Sequence, residues 1–228
     1  MDHSKEMANP ANEKGTSLIP YGRHFLDDDD IKAVVEVLRH GWLTQGPKID
    51  EFEAKFAESV GAKYAVAVSS ATAGLHLACQ AMGITAGDQV IVPPNTFVST
   101  SNAVLYCGGN VLFVDIDPAT LNLSVPALKE ALKQNPHARG VMPVHFGGLP
   151  CDMEAIARLA SAHNLVVIED AAHALGAEYE CGRKVGSCYY SDLTVFSLHP
   201  VKGVTSGEGG VITTNNHAHY KTLLRLRS

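Results

Sequence analysis

The chain has 228 residues, 46% of them hydrophobic and 18% charged, with a formal net charge of −6. That balance builds a buried core and excludes a disordered chain. With no Lys/Arg cluster a nucleic-acid partner is excluded, and no apolar run approaches the roughly 18 residues a membrane-spanning helix needs.

Residues 1–17 are polar and lack the apolar centre of a signal peptide, so they read as a flexible tail and a cytoplasmic location is the default expectation. Residues 18–62 read as an N-terminal helical segment. Asp27 to Asp30 precede Ile31, Val34, Val35 and Leu38, which recur at helical spacing; the carboxylates would sit at the positive end of that helix. The acidic run is then a solvated helix start, not a metal site. A second amphipathic helix is expected around Lys48 to Val60, after the Gly46-Pro47 break. The five cysteines (Cys79, Cys107, Cys151, Cys181, Cys188) are odd in number and contain no Cys-x-x-Cys pair, which fits reduced thiols.

From residue 63 onward the chain alternates. β-Branched runs occur at Tyr64–Ser69, Gln89–Val92, Val111–Asp115, Gly140–Val144, Leu165–Glu169, Leu193–Ser197 and Gly210–Thr214. Helical patterns fall between most of them, at Thr72–Met82, Thr100–Tyr106, Val125–Lys133 and Cys151–His163. Uninterrupted apolar strands such as Leu165 to Ile168 suit a sheet covered on both faces. The expectation is an α/β fold with a mostly parallel seven-stranded sheet flanked by helices. Ligands in such sheets bind beyond the carboxyl ends of the strands, and three strand ends there are chemically distinctive.

Ser69-Ser70-Ala71-Thr72-Ala73-Gly74 joins a strand to a helix through small residues. The free N–H groups of that helix's first turn suit a phosphate, although an ordinary Ser cap explains the segment taken alone. Glu169-Asp170-Ala171-Ala172-His173 closes an apolar strand. A carboxylate there is costly without a partner; a protonated pyridine nitrogen would be one, and His173 could reach the same ligand. Helix capping is the ordinary alternative. Ser197-Leu198-His199-Pro200-Val201-Lys202-Gly203 delivers a strand-end serine and then a lysine in a small-residue turn. No other lysine lies between Lys184 and Lys221. A partly desolvated amine in such a turn forms Schiff bases, whereas an isolated surface lysine would have no such setting.

Together with Gly41-Trp42-Leu43-Thr44-Gln45-Gly46, Pro93-Pro94-Asn95-Thr96-Phe97-Val98-Ser99 and Val144-His145-Phe146-Gly147-Gly148, these motifs resemble the DegT/DnrJ/EryC1/StrS family of sugar aminotransferases. That family is a fold-type I group dependent on pyridoxal 5′-phosphate (PLP), and the resemblance runs from Leu18 to Ser228. It implies Lys202 as the Schiff-base lysine and Asp170 on the pyridine nitrogen. It implies His173 near the ring's phenolic oxygen and Phe97 stacked on the ring. Ala71, Thr72 and Ser197 would meet the phosphate. Ile19-Pro20-Tyr21-Gly22-Arg23 and the Thr44-Gln45-Gly46 run resemble the pseudaminic-acid branch, which aminates a nucleotide-linked 4-keto-6-deoxy sugar with glutamate. The resemblance also implies a homodimer with a shared active site. Leu198 stands where the family carries Phe, and Gly203-Val204-Thr205-Ser206 departs from its usual loop. Family members continue past Ser228, so residues 63–228 are expected to be the PLP-binding large domain with the C-terminal small domain missing. The alternatives are another fold-type I activity (a lyase, a sugar dehydratase or an amino-acid aminotransferase), a PLP-binding regulatory module or an inactive PLP-binding fragment. A metal enzyme using His145, His173, His199 and Cys151 lacks any ligand spacing to support it.

Overall fold

The computed structural model describes Gly22 and residues 24–228. The tail over residues 1–17 and the Ile19 to Arg23 run, Gly22 excepted, lie outside the described residues.

Helix α1 spans Asp28–His40 and starts on its own acidic run. Asp27 accepts from the N–H groups of Asp29 and Asp30, and the Asp30 side chain returns to the Asp27 N–H. Helix α2, Pro47–Val60, has proline in its first turn and ends on Gly61, whose φ of 77° is the left-handed conformation glycine tolerates. The chain then alternates through β1 (Tyr64–Val68), α3 (Ala71–Ala81), β2 (Gln89–Val92), α4 (Ser99–Tyr106), β3 (Asn110–Phe113), α5 (Val125–Gln134) and β4 (Gly140–Val141). It continues through α6 (Met153–His163), β5 (Val166–Asp170), β6 (Leu193–Ser197), β7 (Gly210–Thr214) and α7 (His217–Arg227).

The seven strands form one sheet in the order β1-β7-β6-β5-β4-β2-β3. Only β7 opposes its neighbours, pairing antiparallel with β1 and β6; the remaining pairs are parallel. Residues 198–209 join β6 to β7 without a helix, and a connection with no crossover returns the chain antiparallel.

Successive strand residues face opposite sides, and each side has its own core. Val167, Phe196 and Val211 pack with α2, α5 and α6. Ile168, Val195 and Ile212 pack with α3, α4 and α7. Around the β1 edge the two layers are clamped: Arg227 of α7 donates to the buried Glu53 of α2, which also accepts the Ala67 N–H at 2.8 Å. None of α1's residues is buried.

β4 stops three residues short of the expected Val144. Pro143 has no N–H to give to a ladder. Its carbonyl nonetheless accepts the Asp170 N–H at 2.9 Å, and Val144 pairs with Asp170 as an isolated bridge. The β4 end therefore stays beside the β5 end. Residues Phe146–Gly148 form a 3-10 turn with no counterpart among the expected elements, and α6 begins at Met153, capped by Asp152, not at Cys151.

Candidate active site

The carboxyl ends of β5 and β6, the N-termini of α3 and α4, and the loop after β6 surround a cavity of about 510 Å³. That size suits a small-molecule site. Ala71, Thr72, Phe97, Asp170, His173, Ser197 and Lys202 all line it, so the seven positions singled out in the sequence converge on one space.

The α3 end is built for close approach. Ser70 caps the helix by accepting the Ala73 N–H at 3.1 Å, leaving the Ala71 and Thr72 N–H groups with no acceptor inside the helix. A Cβ on Gly210 would lie 2.6 Å from the Ser70 carbonyl carbon, so the helix start can sit against β7 only because residue 210 is glycine. Gly74 does the same against β6, where a Cβ would meet Val195 at 2.9 Å.

Asp170 ends β5 and is 4% exposed. Its Oδ1 accepts the Ala172 N–H at 3.1 Å and its Oδ2 accepts the Thr100 hydroxyl at 2.6 Å. Lys202 is half-buried in a loop that Leu198 closes at both ends. The Leu198 N–H donates to Gly209 O at 2.9 Å, and the Leu198 carbonyl accepts from Ser206 N–H and the Thr205 hydroxyl. Within the loop the Lys202 N–H turns back onto His199 O at 2.9 Å. Burial lowers the Lys202 pKa from its ordinary value, against the pull of Asp170; a lowered value makes the amine a better nucleophile. The pKa of His173 is lowered too, by desolvation and then by the Lys202 charge. Ser197, at the end of β6, accepts the His199 N–H at 3.3 Å. Phe97 is 74% exposed and presents its ring at the mouth.

Two groups that sequence reasoning did not assign stand behind the residues that line the cavity. Thr96 and Thr100 line up behind Asp170, their hydroxyls 2.6 Å apart. The available signal was a pair of threonines four residues apart on either side of the α4 N-terminus. Glu169, pointing to the opposite face from Asp170, is fully buried. It accepts from His145 Nε2 (2.8 Å), Tyr179 Oη (2.6 Å), Thr194 Oγ1 (2.9 Å) and Ser191 Oγ. Burial works against a second proton on His145 and Glu169 works for one. The Cys151 N–H directed at Nδ1 at 3.1 Å favours the singly protonated ring, since an imidazolium would set two donors face to face. Among the described residues no three His, Cys, Asp or Glu side chains gather to hold a metal ion, and none of the five cysteines is paired.

The residues fit PLP. A buried carboxylate suits a cationic ring nitrogen, a half-buried amine of lowered pKa suits an aldehyde, and unpartnered helix N–H groups suit a phosphate. With a mostly parallel sheet packed between helices, they match the fold-type I architecture of PLP-dependent aminotransferases. Residues 25–228 match the DegT/DnrJ/EryC1/StrS aminotransferase family, and the chain belongs to it.

The spore coat polysaccharide biosynthesis protein SpsC of Bacillus subtilis (strain 168) is 45% identical over 204 residues, covering 90% of this chain and 51% of SpsC. Among solved structures, PseC of Helicobacter pylori, an aminotransferase involved in the biosynthesis of pseudoaminic acid, superposes with a TM-score of 0.86. It is 32% identical, with 92% of this chain and 55% of PseC covered. DesI, solved in the presence of its TDP-sugar product, gives 0.83 at 35% identity, covering 91% of this chain and 52% of DesI. The chain thus spans about half the length of these relatives.

Proposed function

We propose that this chain forms the cofactor-binding domain of a PLP-dependent aminotransferase that acts on a nucleotide-linked 4-keto-6-deoxy sugar with glutamate as amino donor. The observation that carries it is the approach of Asp170, at the end of β5, and Lys202, in the loop after the neighbouring β6, to one cavity capped by the N-terminus of α3. PLP supplies an aldehyde that condenses with amines and a ring that withdraws electrons while its nitrogen is protonated.

With PLP bound, Lys202 would hold it through its amine and would serve as the base that moves the proton at the substrate carbon. Asp170 keeps the ring nitrogen protonated by opposite charge. The Ala71 and Thr72 N–H groups, with the Thr72 and Ser197 hydroxyls, hold the phosphate. Phe97 and His173, which line the same cavity, would hold the cofactor's ring, Phe97 by stacking and His173 near the phenolic oxygen. The sugar substrate is supported by the relatives: PseC takes part in pseudoaminic acid biosynthesis, and DesI was solved with a TDP-sugar. A homodimer with a shared site belongs to the same proposal.

Borohydride reduction of the PLP-loaded enzyme, followed by peptide mapping, should leave pyridoxyl on Lys202, and Lys202→Ala should lose at least about 10²–10⁴-fold in turnover. A label on Lys184 or Lys221 would overturn the assignment. For the substrate, the glutamate-loaded enzyme should aminate UDP-4-keto-6-deoxy sugars in preference to simple 2-oxo acids; the reverse preference removes the sugar reading and keeps the aminotransferase.

A further inference from the structure

We infer that Thr100, backed by Thr96, is a positioning residue for Asp170: a two-hydroxyl relay that fixes the carboxylate facing the ring nitrogen and ties it to the segment carrying Phe97. The inference rests on the reading of Asp170 as the ring-nitrogen partner.

The proton count gives the relay its direction. Thr100 is fully buried, so its hydroxyl has no water to turn to. It holds one proton and has three oxygen neighbours: Asp170 Oδ2 at 2.6 Å, Thr96 Oγ1 at 2.6 Å and Phe97 O at 3.1 Å. A hydroxyl donates once and accepts up to twice. The Phe97 carbonyl already receives the Thr100 N–H at 3.1 Å, while the carboxylate offers charge and the shorter distance. Thr100 therefore donates to Asp170, and Thr96 donates to Thr100.

The two Asp170 oxygens are consequently held from two elements. Oδ1 is held by the turn after β5, through the Ala172 N–H, and Oδ2 by the first turn of α4. Removing the Thr100 hydroxyl frees the carboxylate to rotate about its χ angles and strips one donor from it. Phe97 sits between the two threonines in sequence and lines the same cavity, and its backbone carbonyl accepts from Thr100, so the relay joins Asp170 to the backbone that carries Phe97.

The test uses the PLP holoenzyme and reads the pH titration of the bound cofactor's absorption band alongside kcat and KM for the amino donor. Thr100→Val keeps the shape and deletes the hydroxyl; Thr100→Ser keeps the hydroxyl; Asp170→Asn controls the underlying reading. Thr100→Val should shift the band's titration by about one pH unit. It should lower kcat about 10- to 100-fold, the size of a lost hydrogen bond to a charged group, with KM within about threefold. Thr100→Ser should return both to within about threefold of the parent. An unmoved titration in Thr100→Val, beside an Asp170→Asn enzyme that changes it, overturns the relay and leaves the Asp170 assignment standing. An Asp170→Asn enzyme with parental titration and kcat removes the assignment and the relay together. Lost turnover that Thr100→Ser does not restore, with the titration unmoved, marks a packing role and also overturns the relay. Should Thr100→Val fail to fold, Thr96→Val at its partly exposed position carries the test: a shift of the titration relative to the parent by less than about one pH unit supports the relay, and none overturns it.

Discussion

Glu169 sits one residue from Asp170 yet serves the opposite side of the sheet, as strand alternation requires. Its carboxyl has no solvent contact and four side-chain donors: His145 after β4, Thr194 at the start of β6, and Tyr179 and Ser191 from the segments between β5 and β6. Burial alone would push such a group's pKa up. The donors outweigh it, led by His145, and hold the value below the ordinary 4.5. A lowered folded value means that the unfolded chain binds the proton first as pH falls. The stabilisation is complete above about 4.5 and is lost as pH drops through the folded value. Glu169→Gln removes that titration and turns an NH₂ group toward donors, which costs about 1–3 kcal/mol at neutral pH. Urea midpoints measured from pH 7 to pH 3 should therefore start lower in Glu169→Gln and fall less steeply into acid. An acid limb as steep as the parent's would assign the acid sensitivity to another carboxylate.

Among the elements, β7 explains both how the pocket closes and what the sequence could tell. Its antiparallel direction follows from a Lys202 loop with no helical pattern, a feature visible in the residues themselves. The strand order does not follow in the same way: β1 pairs with β7 across the whole chain, and no local signal encodes that partner. The seven strands and the helices α1 to α6 were legible because their apolar periods differ. The Pro143 break in β4 and the Phe146–Gly148 turn were not, because a strand's end depends on its neighbour's ladder. Lys202, Asp170 and the Ser70–Thr72 turn were legible as strand-end chemistry, whereas Thr100 and Glu169 gain meaning only from side chains distant in sequence. The same holds for Gly210, whose lack of a Cβ lets α3 begin at the cavity. Gly210→Ala would drive a Cβ to 2.6–2.7 Å from the Ser70 and Ala71 backbone, which cannot swing aside as a side chain would. The first turn of α3 must shift, at about 1–3 kcal/mol of stability. Loss of its aligned N–H groups should weaken PLP affinity by about tenfold or more. Equilibrium titration with PLP checks this; parental affinity in a variant of lowered stability would show that the α3 amides do not hold the phosphate.

At the scale of the whole molecule, one apolar surface is left unexplained by either core. The spacing of Ile31, Val34 and Leu38 gives α1 an apolar stripe, as the sequence indicates, but the stripe does not meet the sheet. Val34 is 60% exposed and Leu38 63%, and beyond the helix Trp42 is 76% exposed. Grouped apolar side chains of this kind drive association. The chain as described should therefore self-associate in a concentration-dependent way, with α1 as a principal contact. Val34 and Leu38 lie one turn apart on the same stripe, so lysine at both interrupts it. No core contact is lost in the exchange, and exposed substitutions typically move stability by no more than about 0.5 kcal/mol. The Val34→Lys, Leu38→Lys double variant should keep the parent's far-UV circular dichroism and urea midpoint while its light scattering falls at matched concentration. Scattering equal to the parent's would move the adhesive surface to the exposed Leu105, Tyr106 and Phe113 around the β3 edge, where an unpaired strand edge offers a second route to association.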